Sequence, residues 1–186
     1  LMENFKVCAL GRYGLDFASV HAINPRLIFC SITGFGQTGP NADRAGYDAM
    51  IQAEAGLMSL TGEPDGAPMK TGVAVSDLAT GMYAAASVLA ALHARERGGL
   101  GQHIDLALFD VQVASLANQG MNQLIAGVTP ARHGNAHPNI VPYQAFAVAD
   151  GHLMLAIGND QQFRTFCGVA ELNALASDSR FTTNAD

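Results

Sequence analysis

Charge is scarce in this chain of 186 residues. Asp, Glu, Lys and Arg make up 14% of it, and the formal charge is −6. The basic face that marks a nucleic-acid binder is missing. No apolar run is long enough to span a bilayer without interruption by polar residues or glycine. Cysteine is rare: Cys8, Cys30 and Cys167 are odd in number and far apart. That spacing excludes a disulfide framework and a cysteine metal site, and it suits a reduced, cytoplasmic protein. There is no Walker loop, no G-x-S-x-G elbow and no signal-peptide pattern. The chain opens on Leu1 rather than an initiator methionine and stops at "RFTTNAD", so a piece of a longer protein is expected.

Apolar residues are plentiful, at 49% of the chain. That is enough for a sizeable core, one domain with part of another. "SITGFGQTGP" (Ser31 to Pro40) contains G-x-G-x-x-G after an apolar run. A dinucleotide-binding turn needs a strand before it, a helix opening on the last glycine, and an acid after the next strand. "RLIFCSIT" (Arg26 to Thr33) reads as a buried strand. Pro40 and the loop-like "NADRAGYD" oppose the helix, and "YDAMIQAEAGLMSL" offers no clear second strand. The glycines therefore need another explanation.

"DLATGMYAAASVLAALHARERGG" (Asp77 to Gly99) is the strongest helix signal. Leu78, Met82, Ala85, Leu89 and Leu92 recur at helical spacing, and the alanines make the other faces small and apolar. The spacing predicts a helix buried on most sides, with Arg95 and Arg97 against the C-terminal dipole and Gly98-Gly99 as the stop. "QHIDLALFD" (Gln102 to Asp110) alternates like a strand, and "VQVASLANQGMNQLIAG" reads as one further helix. Helix, strand and helix in series predict an α/β layer with parallel pairing. After Pro130 a linker is expected. "YQAFAVADGHLMLAIG" then reads as a hairpin around Asp150-Gly151, and "NDQQFRTFCGVA" as a helix.

Asp77 stands out. With Ser76 it sits at the expected start of the long helix, where either residue is an ordinary N-cap. A carboxylate at a helix N-terminus can equally serve as a nucleophile. The local sequence leaves both open. His133 and His137 are four apart, but Gly134 and Pro138 make that stretch a loop, so no metal site is expected. Lys6, Arg12, Arg26 and Arg44 crowd the first quarter. They read as surface charge or as contacts to the phosphates of a large anion.

Five strings in order, "ENFKVCALGRYGL", "NPRLIFCSITGFGQTGP", "AGYDAMIQAEAGLMSLTG", "VAVSDLATGMYAAASVLAAL" and "GLGQHIDLALFD", resemble the class III (CaiB/BaiF) coenzyme A transferases along essentially the whole chain. The resemblance implies an α/β fold: residues 1–130 as part of a Rossmann-like, CoA-binding and catalytic large domain, and 131–186 as a linker and the start of a smaller α+β domain. It implies coenzyme A and acyl-CoA as substrates, no permanently bound cofactor, and a homodimer whose chains interlock.

Position by position, the resemblance makes Asp77, in the "SD" before "TG", the nucleophile. It places Asn4, Phe5, Arg12, Arg44, Ala45, Gly46 and Tyr47 at the coenzyme. A lysine common in this loop is replaced by Ala45, with Arg44 beside it. Tyr47 and Asp48 match walls near the nucleophile, and Gly34, Phe35 and Gly36 match a loop beside the site. Gly134 and Asn135 match the segment by which the smaller domain covers it. "GNAHPNIVPYQAF" and "DGHLMLAIGNDQQF" are similar to members that move CoA between dicarboxylic acids with succinyl-CoA as donor. Arg132 or His137 could meet the second carboxylate, or be plain loop residues.

Two alternatives stand beside this reading. The α-methylacyl-CoA racemases share the fold but use a histidine in a G-H-D string. Tyr47 occupies that position here, and a phenol with a pKa of about 10 is a poor replacement for that base. A truncated remnant that folds without turning over is the non-enzymatic reading.

Overall fold

Three short parallel strands build the sheet of the first part of the chain: β1 (Met2–Glu3), β2 (Phe29–Thr33) and β3 (His103–Ala107), in that spatial order. β2 pairs with β3 from Phe29 opposite His103 to Thr33 opposite Ala107. β2 lies in the middle, and Phe29, Cys30 and Ser31 are buried, which is why it reads as an unbroken apolar run. The computed structural model describes residues 1–185. They form two compact units, one of Leu1–Thr61 with Pro68–Ala131, the other of Gly62–Ala67 with the chain from Arg132 on.

The first unit is α/β, as expected. Helix α1 (Phe17–Ile23) links β1 to β2; α2 (Asp48–Glu54), α3 (Leu57–Leu60) and α4 (Val75–Gly98) link β2 to β3. α1 starts on its own cap: the Asp16 carboxylate accepts from the Ser19 N–H at 3.0 Å and the Ser19 hydroxyl at 2.8 Å. The Ser19 N–H, followed by its hydroxyl, holds the Asp16 carboxyl below the usual carboxylate value. No helix opens on Gly39. The chain loops from β2 to α2, with Gly36 and Gly39 at positive φ.

Four expectations are corrected. α4 begins at Val75 with Ala74 as its N-cap, so neither Ser76 nor Asp77 caps it. Nor is α4 buried on most sides. Its buried residues are Ser76, Thr80, Ala84 and Ala91, whereas Leu78, Met82 and Leu89 are 59%, 68% and 67% exposed. The small side chains let α4 lie close to the sheet and to the next helix, and the larger ones face outward. By length and composition α4 could cross a bilayer, although no single run in the sequence suggests it. The strand expected from Gln102 to Asp110 ends at Ala107, where α5 (Leu108–Ala114) starts. The helix expected beyond it is two, α5 and α6 (Ala117–Ala126). At the break the Ser115 hydroxyl donates to the Val111 carbonyl at 2.8 Å, and Ala117 takes a φ of 49°.

In the second unit β4 (Tyr143–Val148) and β5 (Gly151–Ala156) pair antiparallel, with Val148 opposite Gly151 closing a hairpin over Ala149 and Asp150. α7 (Asp160–Val169) and the short α8 (Asn173–Ala176) follow. Asn159 caps α7, its side-chain oxygen accepting from the Gln162 N–H at 2.9 Å. Ile157 and Cys167 are the buried apolar residues of this unit.

Candidate active site

Parallel sheets bind ligands beyond the carboxyl ends of their strands. A cleft of about 690 Å³ opens there in the first unit. Asn4 to Val7 follow β1, Ile32 to Gly34 end β2, and Leu108 follows β3; the loop Ala42 to Tyr47, Asp48 at the start of α2 and one turn of α4 complete its walls. The glycine loop after β2 is pinned. The Thr33 hydroxyl oxygen accepts from the Gly36 N–H at 2.9 Å, and the Asp105 carboxylate accepts from the Gln37 N–H at 2.9 Å. A Cβ on Gly34 would lie 2.6 Å from the Gly46 Cα, and a Cβ on Gly46 would collide with the Gly34 Cα. Two backbones cross there with room only for hydrogens.

The start of α4 is one wall. Its N-cap is an alanine without a side-chain acceptor, yet its first N–H groups are satisfied. Asp48, the first residue of α2, reaches across. Its Oδ1 accepts from the Ser76 N–H at 2.8 Å and the Asp77 N–H at 3.3 Å. Its Oδ2 accepts from Gln52 Nε2 at 2.6 Å. Below, the buried Ser76 hydroxyl donates to Gln112 Oε1 of α5 at 2.7 Å, and the Thr80 hydroxyl donates to the Ser76 carbonyl at 2.7 Å. The Asp77 side chain is exposed to the cleft. Among the described residues nothing donates to its carboxylate. Partial burial, and then the negative charge of Asp48, raise its pKa above the ordinary 3.8. A carboxylate that binds protons more tightly is also the better nucleophile.

Of the residues singled out in the sequence, the structure gathers Asn4, Phe5, Gly34, Arg44, Ala45, Gly46, Tyr47, Asp48 and Asp77 around this cleft. Arg44 is engaged there: it ion-pairs with Glu54 and lies 4.6 Å above the Phe35 ring. Phe35 packs on Phe109, with ring centroids 5.7 Å apart. Phe35 and Gly36 do not line the cleft, and Gly36 is buried. Arg12 is exposed, 4.8 Å from the ring of Tyr13, and does not line the cleft. Arg26 pairs with Glu96 at 3.3 Å.

Gly134 and Asn135 lie in the second unit. There the Gly134 N–H donates to the Gly62 carbonyl at 3.0 Å, and Arg132 Nε donates to the Glu63 carbonyl at 3.3 Å. His133 and His137 flank the turn at Gly134 and Asn135, and His137 Nδ1 accepts from the Asn139 N–H at 3.0 Å. No group of three His, Cys, Asp or Glu among the described residues could hold a metal ion.

Some wall residues were not singled out from the sequence as part of a site. Thr80 and Gly81 follow Asp77 by one helical turn, a spacing that could have found them. Leu108 follows a strand at its carboxyl end. Lys6, read among the early cations as surface charge or as a contact to the phosphates of a large anion, lines the cleft. The buried Gln52 and Gln112 gave no signal in the sequence.

The sequence pattern of CoA-transferase family III matches residues 1–186. The chain is 58% identical over 184 residues to the succinate–glutarate CoA-transferase of Agrobacterium fabrum, covering 99% of this chain and 46% of that protein. It is 44% identical over 183 residues to the succinyl-CoA:glutarate CoA-transferase of Homo sapiens, covering 98% and 42%. The crystal structure of a CaiB/BaiF family protein from Brucella suis superposes with a TM-score of 0.80 at 55% identity, over 99% of this chain and 49% of that one. The chain thus spans about half the length of the relatives it matches.

Proposed function

The chain belongs to CoA-transferase family III, and on that premise we propose that its cleft serves transfer of coenzyme A from an acyl-CoA to a carboxylic acid, with Asp77 as the nucleophile. In this reading the donor is succinyl-CoA and the acceptor a dicarboxylate such as glutarate, which is what the names of its similar relatives say of those proteins. Residues 1–130 are then the coenzyme-binding and catalytic part, and 131–186 a linker with the start of a smaller domain. The exposed apolar side chains of α4 are consistent with a homodimer, and the unpaired cysteines with a cytoplasmic protein.

The chemistry passes through one carboxylate twice. An Asp77 carboxylate oxygen attacks the thioester carbonyl of the acyl-CoA. The carbon–sulfur bond breaks, leaving an acyl-aspartyl anhydride and the CoA thiolate. The thiolate attacks the Asp77 Cγ of that anhydride and expels the donor as its free carboxylate. The resulting aspartyl-CoA thioester is attacked at Cγ by the acceptor carboxylate, which releases the thiolate again. The thiolate then attacks the acceptor's acyl carbon, giving the new acyl-CoA and a free Asp77.

The observation that supports this reading most is the Asp77 carboxylate itself: exposed in the cleft, with no hydrogen-bond donor among the described residues and a raised affinity for protons. Tyr47 lines the same cleft and weighs against a racemase with a histidine base. The test is intact-protein mass spectrometry after incubation with succinyl-CoA and hydroxylamine, which traps an anhydride or aspartyl thioester as a hydroxamate. A small mass gain mapping to Asp77 is expected. Glutaryl-CoA formation with the adduct on another residue would overturn the assignment.

A further inference from the structure

The N-terminus of α4 is capped by a residue 28 positions earlier in the chain, and that residue is itself held by a buried glutamine. Gln52 is 0% exposed. Its Oε1 accepts from the Thr71 N–H at 2.9 Å and the Thr71 hydroxyl at 3.2 Å. Its amide nitrogen, the donor end, faces the Asp48 Oδ2 at 2.6 Å and the Val73 carbonyl at 3.5 Å. The opposite amide orientation would set the Gln52 nitrogen against the donors of Thr71 and its oxygen against the Asp48 carboxylate. The network therefore has one polarity, and Asp48 stands at its end with donors on every side.

A carboxylate in the third position of a helix ordinarily reaches back to the free N–H groups of its own first turn. Asp77 holds that position in α4, whose N-cap provides no acceptor. Of the N–H groups of that turn, Asp48 occupies those of Ser76 and of Asp77 itself, and the Val73 carbonyl accepts from that of Val75. We propose that Asp48, locked by Gln52, is the positioning residue of this site: by capping α4 from outside, it keeps the Asp77 carboxylate off its own helix and free in the cleft. The inference rests on the reading of Asp77 as nucleophile for its consequence in catalysis, but not for its geometry. The same arrangement sets one negative charge near another, which adds to burial in holding a proton on Asp77. The other titratable groups of the cleft are Lys6 after β1 and Asp43, Arg44 and Tyr47 before α2; α5 contributes only Leu108.

The test compares wild type with Asp48→Asn and Gln52→Leu, both checked for folding by circular dichroism. Asparagine in place of Asp48 keeps an acceptor oxygen but removes the charge and turns an amide nitrogen against Gln52. Leucine in place of Gln52 removes the lock and leaves both carboxylates. Two readouts are used: the rate of Asp77 hydroxamate formation with succinyl-CoA across pH, and titration of the Asp77 carboxyl carbon by 13C NMR of aspartate-labelled protein without substrate. For Asp48→Asn the adduct rate falls about tenfold to a hundredfold with little change in its dependence on succinyl-CoA concentration. The midpoint of the Asp77 titration moves down. Gln52→Leu shifts both in the same sense by less. If Asp48→Asn does not fold, Gln52→Leu carries the comparison. Folded variants with wild-type rate and wild-type midpoint overturn the proposal. If wild type reacts elsewhere than Asp77 while the midpoint still moves in Asp48→Asn, the nucleophile assignment falls and the positioning stands.

Discussion

α7 and α4 begin in opposite ways. α7 carries its own cap, Asn159, whose side chain closes on Gln162 three residues on. α4 begins on Ala74 and takes its acceptor from another helix. The first arrangement is local and can form as soon as the helix does. The second forms only when α2 and α4 have docked, so it contributes to helix formation late. What it leaves behind is a carboxylate at a helix start with no structural duty. Self-capped ends serve stability; the end capped from outside leaves a reactive group free.

The contrast can be broken most sharply at Asp77. Asp77→Ala abolishes the hydroxylamine-trapped adduct, a loss of at least ~1,000-fold measured by intact mass. Asn159→Ala leaves the adduct at wild-type level. Beneath Asp77, Ser76→Ala strands the buried Gln112 oxygen and costs about 1–3 kcal/mol in urea unfolding. Asn159→Ala costs about 1 kcal/mol by the same measurement, the ordinary loss of a cap. Giving α4 its own cap sharpens the comparison. Ala74→Ser stabilises by up to ~0.5 kcal/mol in urea and slows adduct formation, because the new hydroxyl competes with Asp48 for the same N–H groups.

The smallest effect concerns pH. The folded pKa of Asp77 lies above its ordinary value of 3.8, so the native state holds that proton more tightly than the unfolded chain does. Stability is therefore lost as pH rises from 3.8 through the raised value, and the full cost is present at neutral pH. Asp77→Asn removes it, and the variant melts ~1 °C higher at pH 7. The difference disappears below pH 3.8. A variant melting lower at pH 7 would mean that the carboxylate stabilises the native state.

What could be read from the sequence depended on how far each interaction reaches. β2, the β4–β5 hairpin and α7 announce themselves through local patterns, and all three form where those patterns lie. α4 was legible as a helix but not in its packing. Hydropathy picks out Leu78, Met82 and Leu89 as the core face, whereas close approach to sheet and helix selects the small stripe of Ser76, Thr80, Ala84 and Ala91. Asp77 could be read as lying near a helix start; whether it was the cap could not, because the competing acceptor lies 29 residues upstream. The Gln52 lock spans 19 residues to Thr71 and has no sequence signature. Half of the residues that line the cleft were named through resemblance to a family rather than from composition or spacing. The structure collects many of them and leaves Arg12 outside.

The crossing of Gly34 and Gly46 has a meaning for how this sequence can drift. Neither position can gain a side chain while the other strand of backbone stays in place. A single base change at either codon meets a barrier that no second change at the partner removes, since both are already as small as an amino acid can be. Selection on this corner of the cleft therefore acts on a pair, and variation is channelled into the residues around it.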